Sequence, residues 1–245
     1  MKKKIFIFAF HKFIKVLNKS NLKTKILNEM NTNSIFGTIL IADEGINGTI
    51  SGDLKNLEKL KSLILNNVCL NINFKKYTCS NYPFIRKKVK IKNEIVKMGV
   101  SNVDVQKFTA QFLEPKEWEV FLENKDTIII DARNTYEFEI GSFKNSISAN
   151  TSSFSEFPKW IEKNKKNLKN KVIAMYCTGG IRCEKASSYM IDKGFKNIYQ
   201  LKGGILNYLK VTEKKNSLWN GECFVFDDRV SVNHSLKRGK FTQCF

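Results

Sequence analysis

Along the first hundred residues the spacing of apolar positions changes several times, and each change marks an element. Lys4 to Phe10 carries the run Ile5-Phe6-Ile7-Phe8-Ala9-Phe10 and reads as a strand. Asn21 to Met30 sets Leu22, Ile26, Leu27 and Met30 on one helical face, and Phe36 to Ala42 returns to a strand. Asn47-Gly48 is a hairpin dipeptide leading into Thr49 to Ser51. Leu54, Leu57, Leu60, Ile64 and Leu65 then recur at helical spacing, and Leu70 to Tyr77 reads as a further strand. The order β-α-β-β-α-β predicts a ferredoxin-like (acylphosphatase-like) sandwich over residues 1–100.

The second half follows another rhythm. Thr127 to Asp131, Val172 to Tyr176 and Ile198 to Leu201 are short apolar strands separated by helical stretches, which predicts a doubly wound parallel sheet over residues 113–212. Ser101 to Phe112 is the expected linker, ending before Glu114-Pro115, where Pro suits the first turn of a helix. Residues 213–245 form a C-terminal extension. Arg133 and Glu137 stand four apart and are expected to pair as a brace within the domain.

The chemistry concentrates at one strand end, where ligands of such sheets bind. After Val172-Ile173-Ala174-Met175-Tyr176 come Cys177-Thr178-Gly179-Gly180-Ile181-Arg182-Cys183-Glu184, and a helical stretch follows. Two glycines let the backbone curl with its N–H groups inward, and the helix N-terminus adds partial positive charge. Such a setting lowers a thiol pKa, so Cys177 is the expected nucleophile and Thr178, Gly179, Gly180, Ile181 and Arg182 its loop. Four residues separate Cys177 from Arg182, one fewer than a cysteine phosphatase uses to cradle phosphate, and the smaller ring suits a persulfide sulfur. Cys183 is a candidate resolving cysteine, with packing at the helix start as its other reading.

With these residues in view, Glu114 to Lys210 resembles a rhodanese domain. Asp131-Ala132-Arg133 with Glu137 and Gly141 are similar to its first landmark, and Gly203-Gly204 to its last. Together with Ala42-Asp43-Glu44-Gly45-Ile46-Asn47-Gly48-Thr49-Ile50-Ser51-Gly52 and Gly221-Glu222-Cys223-Phe224-Val225-Phe226-Asp227, the loop resembles the rhodanese-containing bacterial tRNA uridine(34) hydroxylases. The resemblance implies oxygen-dependent 5-hydroxylation of the wobble uridine, with the tRNA anticodon loop as partner. Molecular oxygen and an unidentified reductant would be co-substrates, and no bound cofactor is evident from the residues. Ser142 stands where rhodanese domains often carry His, and Asn150 where Pro is common. Members of the family usually continue past the segment resembling Phe241 to Cys244 into a tail with further paired cysteines, whereas this sequence stops at Phe245 and is expected to do without that tail.

Charge adds a partner and then qualifies it. A net charge of +19 suggests a polyanion, but only five of the 42 basic residues are arginine, a bias that AT-rich coding also produces. Arg86, Lys88, Lys90 and Lys92 alternate with Val89 and Ile91, placing four cations on one strand face, either as a track for RNA phosphates or as a protected sheet edge. Six cysteines in 245 residues make no disulfide framework, which fits a reducing cytoplasm. The basic and apolar N-terminus imitates a secretion signal, but His11-Lys12 ends the run too early, and no other stretch approaches the ~18 apolar residues of a membrane helix.

Weaker candidates remain. Glu44 and Asn47 lie in a glycine-bearing segment that could approach phosphate or ribose, though a hairpin accounts for the glycines. Cys223, His234 and Cys244 are too scattered to announce a metal, and no metal is expected. Three functions stay open: a tRNA hydroxylase, a sulfurtransferase carrying a persulfide, which the residues alone favour, and a noncatalytic RNA-binding adaptor.

Overall fold

Residues 4–101 and 103–242 are described by a computed structural model in which the chain divides into two units, Met1–Lys97 and Met98–Phe245. The first unit runs β1 (Ile5–Phe13), α1 (Lys19–Thr32), β2 (Phe36–Ala42), β3 (Gly45–Gly52), α2 (Leu54–Asn67), β4 (Phe74–Cys79) and β5 (Lys87–Ile91). Its mixed sheet has the order β4-β1-β3-β2-β5, antiparallel except where β5 joins β2. The ferredoxin-like expectation is met, with β5 as an added edge. Leu22, Ile26 and Met30 of α1 and Leu57, Leu60 and Ile64 of α2 share one core with Phe8, Phe10, Ile39, Ile41, Ile46 and Ile50 of the sheet. The Asn18 side chain caps α1 by accepting the Asn21 N–H at 3.1 Å.

Two local expectations are corrected. Ala42 pairs directly with Gly45, so the hairpin turns at Asp43-Glu44 and Asn47-Gly48 lies inside β3. Gly48 is needed for closeness, since a Cβ there would sit 2.8 Å from a Phe10 ring carbon and 2.9 Å from Ile39 Cγ1. The fourth strand starts at Phe74, and Leu70 is 80% exposed, because the chain leaving α2 reaches β1 only where Phe74 meets Phe10.

The second unit continues with β6 (Gln111–Leu113), α3 (Pro115–Glu123), β7 (Thr127–Asp131), α4 (Thr135–Ile140), β8 (Gly141–Phe143) and β9 (Ile147–Ser148). Then follow α5 (Phe157–Leu168), β10 (Val172–Tyr176), α6 (Ile181–Asp192), β11 (Ile198–Leu201), α7 (Gly204–Val211), β12 (Trp219–Gly221), β13 (Cys223–Phe224) and β14 (Ser231–Val232). The main sheet, β6-β11-β10-β7-β9, is parallel throughout, as a doubly wound fold requires.

Ser101 to Phe112, expected as a linker, is instead fastened to this unit. The Ala110 N–H donates to Ser187 Oγ at 3.1 Å, Ser188 Oγ donates to the Asp104 carbonyl at 3.0 Å, and Gln111 opens edge strand β6. These polar partners lie 77 and 84 residues away in sequence, too far for local patterning to show. The C-terminal stretch is equally integral. Strand β12 pairs with β8, and Trp219, Cys223, Val225 and Val232 share the core of Trp118, Phe143 and Tyr176. No helix among the described residues is long and apolar enough to cross a membrane.

Candidate active site

Strand β10 delivers Cys177 to the carboxyl edge of the sheet, and α6 begins at Ile181, so Thr178, Gly179 and Gly180 must reverse the chain between them. Gly180 does so at φ +104°, a conformation that side chains oppose. Its N–H then points back and donates to the Cys177 sulfur at 3.1 Å. Helix α7 turns the other side of the loop. The Ile205 and Leu206 N–H groups take the Cys177 and Thr178 carbonyls at 3.0 and 3.2 Å. Gly204 permits this approach, since a Cβ there would lie 2.4 Å from the Cys177 oxygen. With those carbonyls drawn outward to α7, the Gly180 N–H is left facing the sulfur.

Burial raises the Cys177 pKa, but the Cys183 thiol, the Arg182 charge and the N–H groups of Cys183 and Gly180 outweigh it, bringing the group down to about 5. Cys177 is therefore a thiolate at neutral pH. Cys183 shifts the opposite way, pushed well above the ordinary thiol range by burial and then by the Cys177 anion beside it. The two sulfurs thus divide one proton, with Cys183 the donor. Both cysteines are free and buried.

Arg182 does not reach around the sulfur as a bare cation. Its guanidinium grips Glu137 bidentately, Nη1 to Oε2 at 2.6 Å and Nη2 to Oε1 at 2.7 Å. Thr178 joins them, its hydroxyl donating to Glu137 Oε1 at 3.3 Å and accepting from Arg182 Nη2 at 3.3 Å. Burial raises the Glu137 pKa, yet the Arg182 charge and hydrogen bonds bring the carboxyl below its ordinary range.

This overturns the expected pairing of Arg133 with Glu137. Helix α4 begins only at Thr135, so Arg133 is outside it and the four-residue helical rule has no purchase. Arg133 folds back on Asp131 instead, at 2.6 Å from Nη2, and donates to the Gly141 carbonyl at 2.7 Å. Its guanidinium lies against both Tyr176 and Trp219, with the ring centroids 5.6 and 5.2 Å away.

The remaining sequence candidates are dispersed. Glu44 accepts the Ile95 N–H at 2.7 Å and Asn47 donates to the Ile95 carbonyl at 3.0 Å, so both hold the backbone of one residue. Arg86, Lys90 and Lys92 are exposed around edge strand β5 and Lys88 is half-buried. Of the apolar pair, Val89 is buried and Ile91 is 38% exposed at the strand's end. No group of three or more His, Cys, Asp or Glu that could hold a metal occurs among the described residues. Cys223 is buried and pushed up to about 12 by burial, while Cys244 lies outside the described residues. Sequence reasoning missed Glu137 as the anchor of Arg182. It also missed the neighbourhood of Phe226, whose ring centroid lies 5.8 Å from the Arg182 guanidinium. The motif Gly221 to Asp227 was the available signal for the second.

A parallel sheet that presents a cysteine thiolate in a glycine-rich loop between strand and helix defines a rhodanese-like protein, and residues 114–210 match the rhodanese-like domain. Residues 5–95 match the UPF0176 acylphosphatase like domain, so the chain joins that domain to a rhodanese-like domain in this order. Among solved structures it is similar to a rhodanese-related protein from Thermoplasma volcanium, at 25% identity over 41% of this chain and 91% of that one, TM-score 0.34. A rhodanese-like domain protein from Staphylococcus aureus shares 23% identity over 40% of this chain and 90% of its own, TM-score 0.34. An acylphosphatase from Coxiella burnetii shares 11% identity over 36% and 95%, TM-score 0.29.

Proposed function

We propose that this chain is a cytoplasmic tRNA-modifying enzyme that uses Cys177 in oxygen-dependent 5-hydroxylation of the wobble uridine. The observation that carries a cysteine-based reaction is the Cys177 thiolate, brought to about 5 inside its loop. The choice of uridine rests on the resemblance of the three sequence motifs. A wobble base lies in a single-stranded loop and can be splayed out without opening a duplex.

The thiolate adds to C6 of uracil, and the electrons of the C5–C6 double bond move to O4 as an enolate. C5 then attacks molecular oxygen and, with a proton, gives a hydroperoxide. Two electrons and two protons from the reductant cleave its O–O bond to C5–OH and water. Loss of the C5 proton and expulsion of the thiolate restore the double bond and free Cys177. In the resting loop Gly180 and Cys183 stabilise the thiolate, and Arg86, Lys88, Lys90 and Lys92 serve as contacts to tRNA phosphates.

Transfer of sulfane sulfur is the second reading. It is favoured by the 1% exposure of Cys177, which suits a small sulfur donor better than a base. Nucleoside mass spectrometry of tRNA from a deletion strain separates the two. Hydroxylation predicts that 5-hydroxyuridine derivatives vanish, return with the wild-type gene, and stay below about a tenth of wild type with Cys177→Ser, whose alcohol cannot supply the anion. Unchanged nucleosides in the deletion strain, alongside cyanide-dependent thiocyanate formation from thiosulfate by the purified protein, would replace this function by sulfur transfer.

A further inference from the structure

Beside the catalytic loop stands a group of aromatic rings that the reaction just described leaves unused. Phe226 is 64% exposed and Tyr136 is 41% exposed, a costly display for two large rings unless something covers them. Phe224 joins them edge to face, with its ring centroid 5.2 Å from Tyr136 and 5.0 Å from Phe226. The three come from separate places in the sequence. Tyr136 precedes Glu137 on α4, whereas Phe224 ends β13 and Phe226 lies in the loop between β13 and β14.

That loop holds Phe226 firmly. The Val225 N–H donates to the Val230 carbonyl at 2.9 Å, and the Val230 N–H donates to the Asp227 carbonyl at 2.9 Å. Arg229 closes on Asp227 through Nε at 2.8 Å and Nη2 at 2.6 Å. Val225 and Val230 are buried on either side. An exposed ring on a loop braced in this way is already arranged for stacking, with little ordering left to be done on binding.

Position and charge select the occupant. The Arg182 guanidinium lies 5.8 Å over Phe226, and its partner Glu137 is the next residue after Tyr136, so the rings border the loop that carries Cys177. A planar, uncharged ring can lie on Phe226 next to that neutralised ion pair, while the phosphates attached to it are attracted by a chain of net charge +19. Single-stranded RNA bases meet this description, since they are read by splaying out and stacking on aromatic side chains.

We infer that Phe226, backed by Phe224 and Tyr136, is the stacking platform that receives the target pyrimidine of an RNA loop beside Cys177. This rests on the tRNA reading above and adds the residue that holds the base. Phe226 is a binding residue and takes no part in bond making.

The test measures binding, independently of turnover. A fluorescently labelled anticodon stem-loop with uridine at the wobble position is compared with the same hairpin made abasic there, by anisotropy with the full chain. Wild type should bind the uridine hairpin about tenfold more tightly. Phe226→Ala should lower uridine binding to the abasic level and leave abasic binding unchanged. Phe226→Trp should keep the wild-type difference, and its thermal melt serves as a folding control for a side chain that is mostly exposed. If Phe226→Ala keeps the tenfold difference, or weakens both hairpins equally, the platform is overturned and the tRNA reading stands. If wild type binds neither hairpin, both fall.

Discussion

Glu44 to Gly48 and Cys177 to Arg182 are both short, polar and glycine-bearing, yet their polar groups meet different fates. In the first, Glu44 and Asn47 take the N–H and the carbonyl of Ile95 and serve to hold the chain down. In the second, carboxylate, guanidinium and hydroxyl satisfy one another, while an N–H and a thiol remain directed at a sulfur atom. A polar cluster whose capacity is consumed by backbone is architecture. One that leaves donors converging on a nucleophile is prepared for chemistry.

Parallel substitutions sharpen this contrast. Glu137→Gln removes one charge of a buried pair and should cost the second unit about 3–5 kcal/mol, whereas Glu44→Gln weakens the hydrogen bond to the Ile95 N–H and should cost the first about 1–2 kcal/mol. Trp118, Trp160 and Trp219 all lie in the second unit, so tryptophan fluorescence in urea should shift its midpoint for Glu137→Gln and hold it for Glu44→Gln. Equal shifts for the two variants would erase the distinction.

The thiolate gives a second way to break the comparison. Because the Cys177 pKa is lowered to about 5, its alkylation by iodoacetamide should proceed at neutral pH and be lost only as pH falls through about 5. Cys183→Ala removes a donor to the anion and should move that midpoint upward, toward the ordinary thiol value. Peptide mass spectrometry after timed alkylation reads both midpoints, and a wild-type midpoint near ~8.5 would remove the case for a prepared nucleophile.

The smallest expected effect is at the edge of the first unit. Replacing Lys88, Lys90 and Lys92 together by Ala should lower the slope of log affinity against log salt by about 2, with similar loss for different tRNAs. The modified nucleoside should remain the same, because phosphate contacts position without reading sequence. An unchanged slope would return these lysines to the role of edge protection.

What the sequence discloses here follows the range of the forces involved. The strand, glycine loop and helix around Cys177 are contiguous, so one short stretch contains the whole device except its anchor. Glu137 lies 45 residues from Arg182, and Arg133 at helical spacing was a plausible but mistaken partner. The β-α-β-β-α-β order of the first unit was legible because each helix repeats its apolar face over several turns. The hairpin was misplaced because Gly48 answers to the Phe10 ring and the Ile39 side chain packed on it and not to a turn. Nothing local told that Trp219 and Cys223 would be core residues, since their partners Phe143 and Tyr176 come from distant strands.

That late contribution bears on how the protein is made. Synthesis runs from the N-terminus, so β6 through β11 leave the ribosome before the residues that complete their core do. Until Trp219 emerges, β8 has no neighbour from β12, and the rings of Phe143 and Tyr176 lack the indole that packs against both. The nascent second unit therefore passes through a stage with an open strand edge and a wet interior, which is when a chaperone would be of most use to it. A translational pause that keeps Trp219 inside the ribosome would prolong that stage.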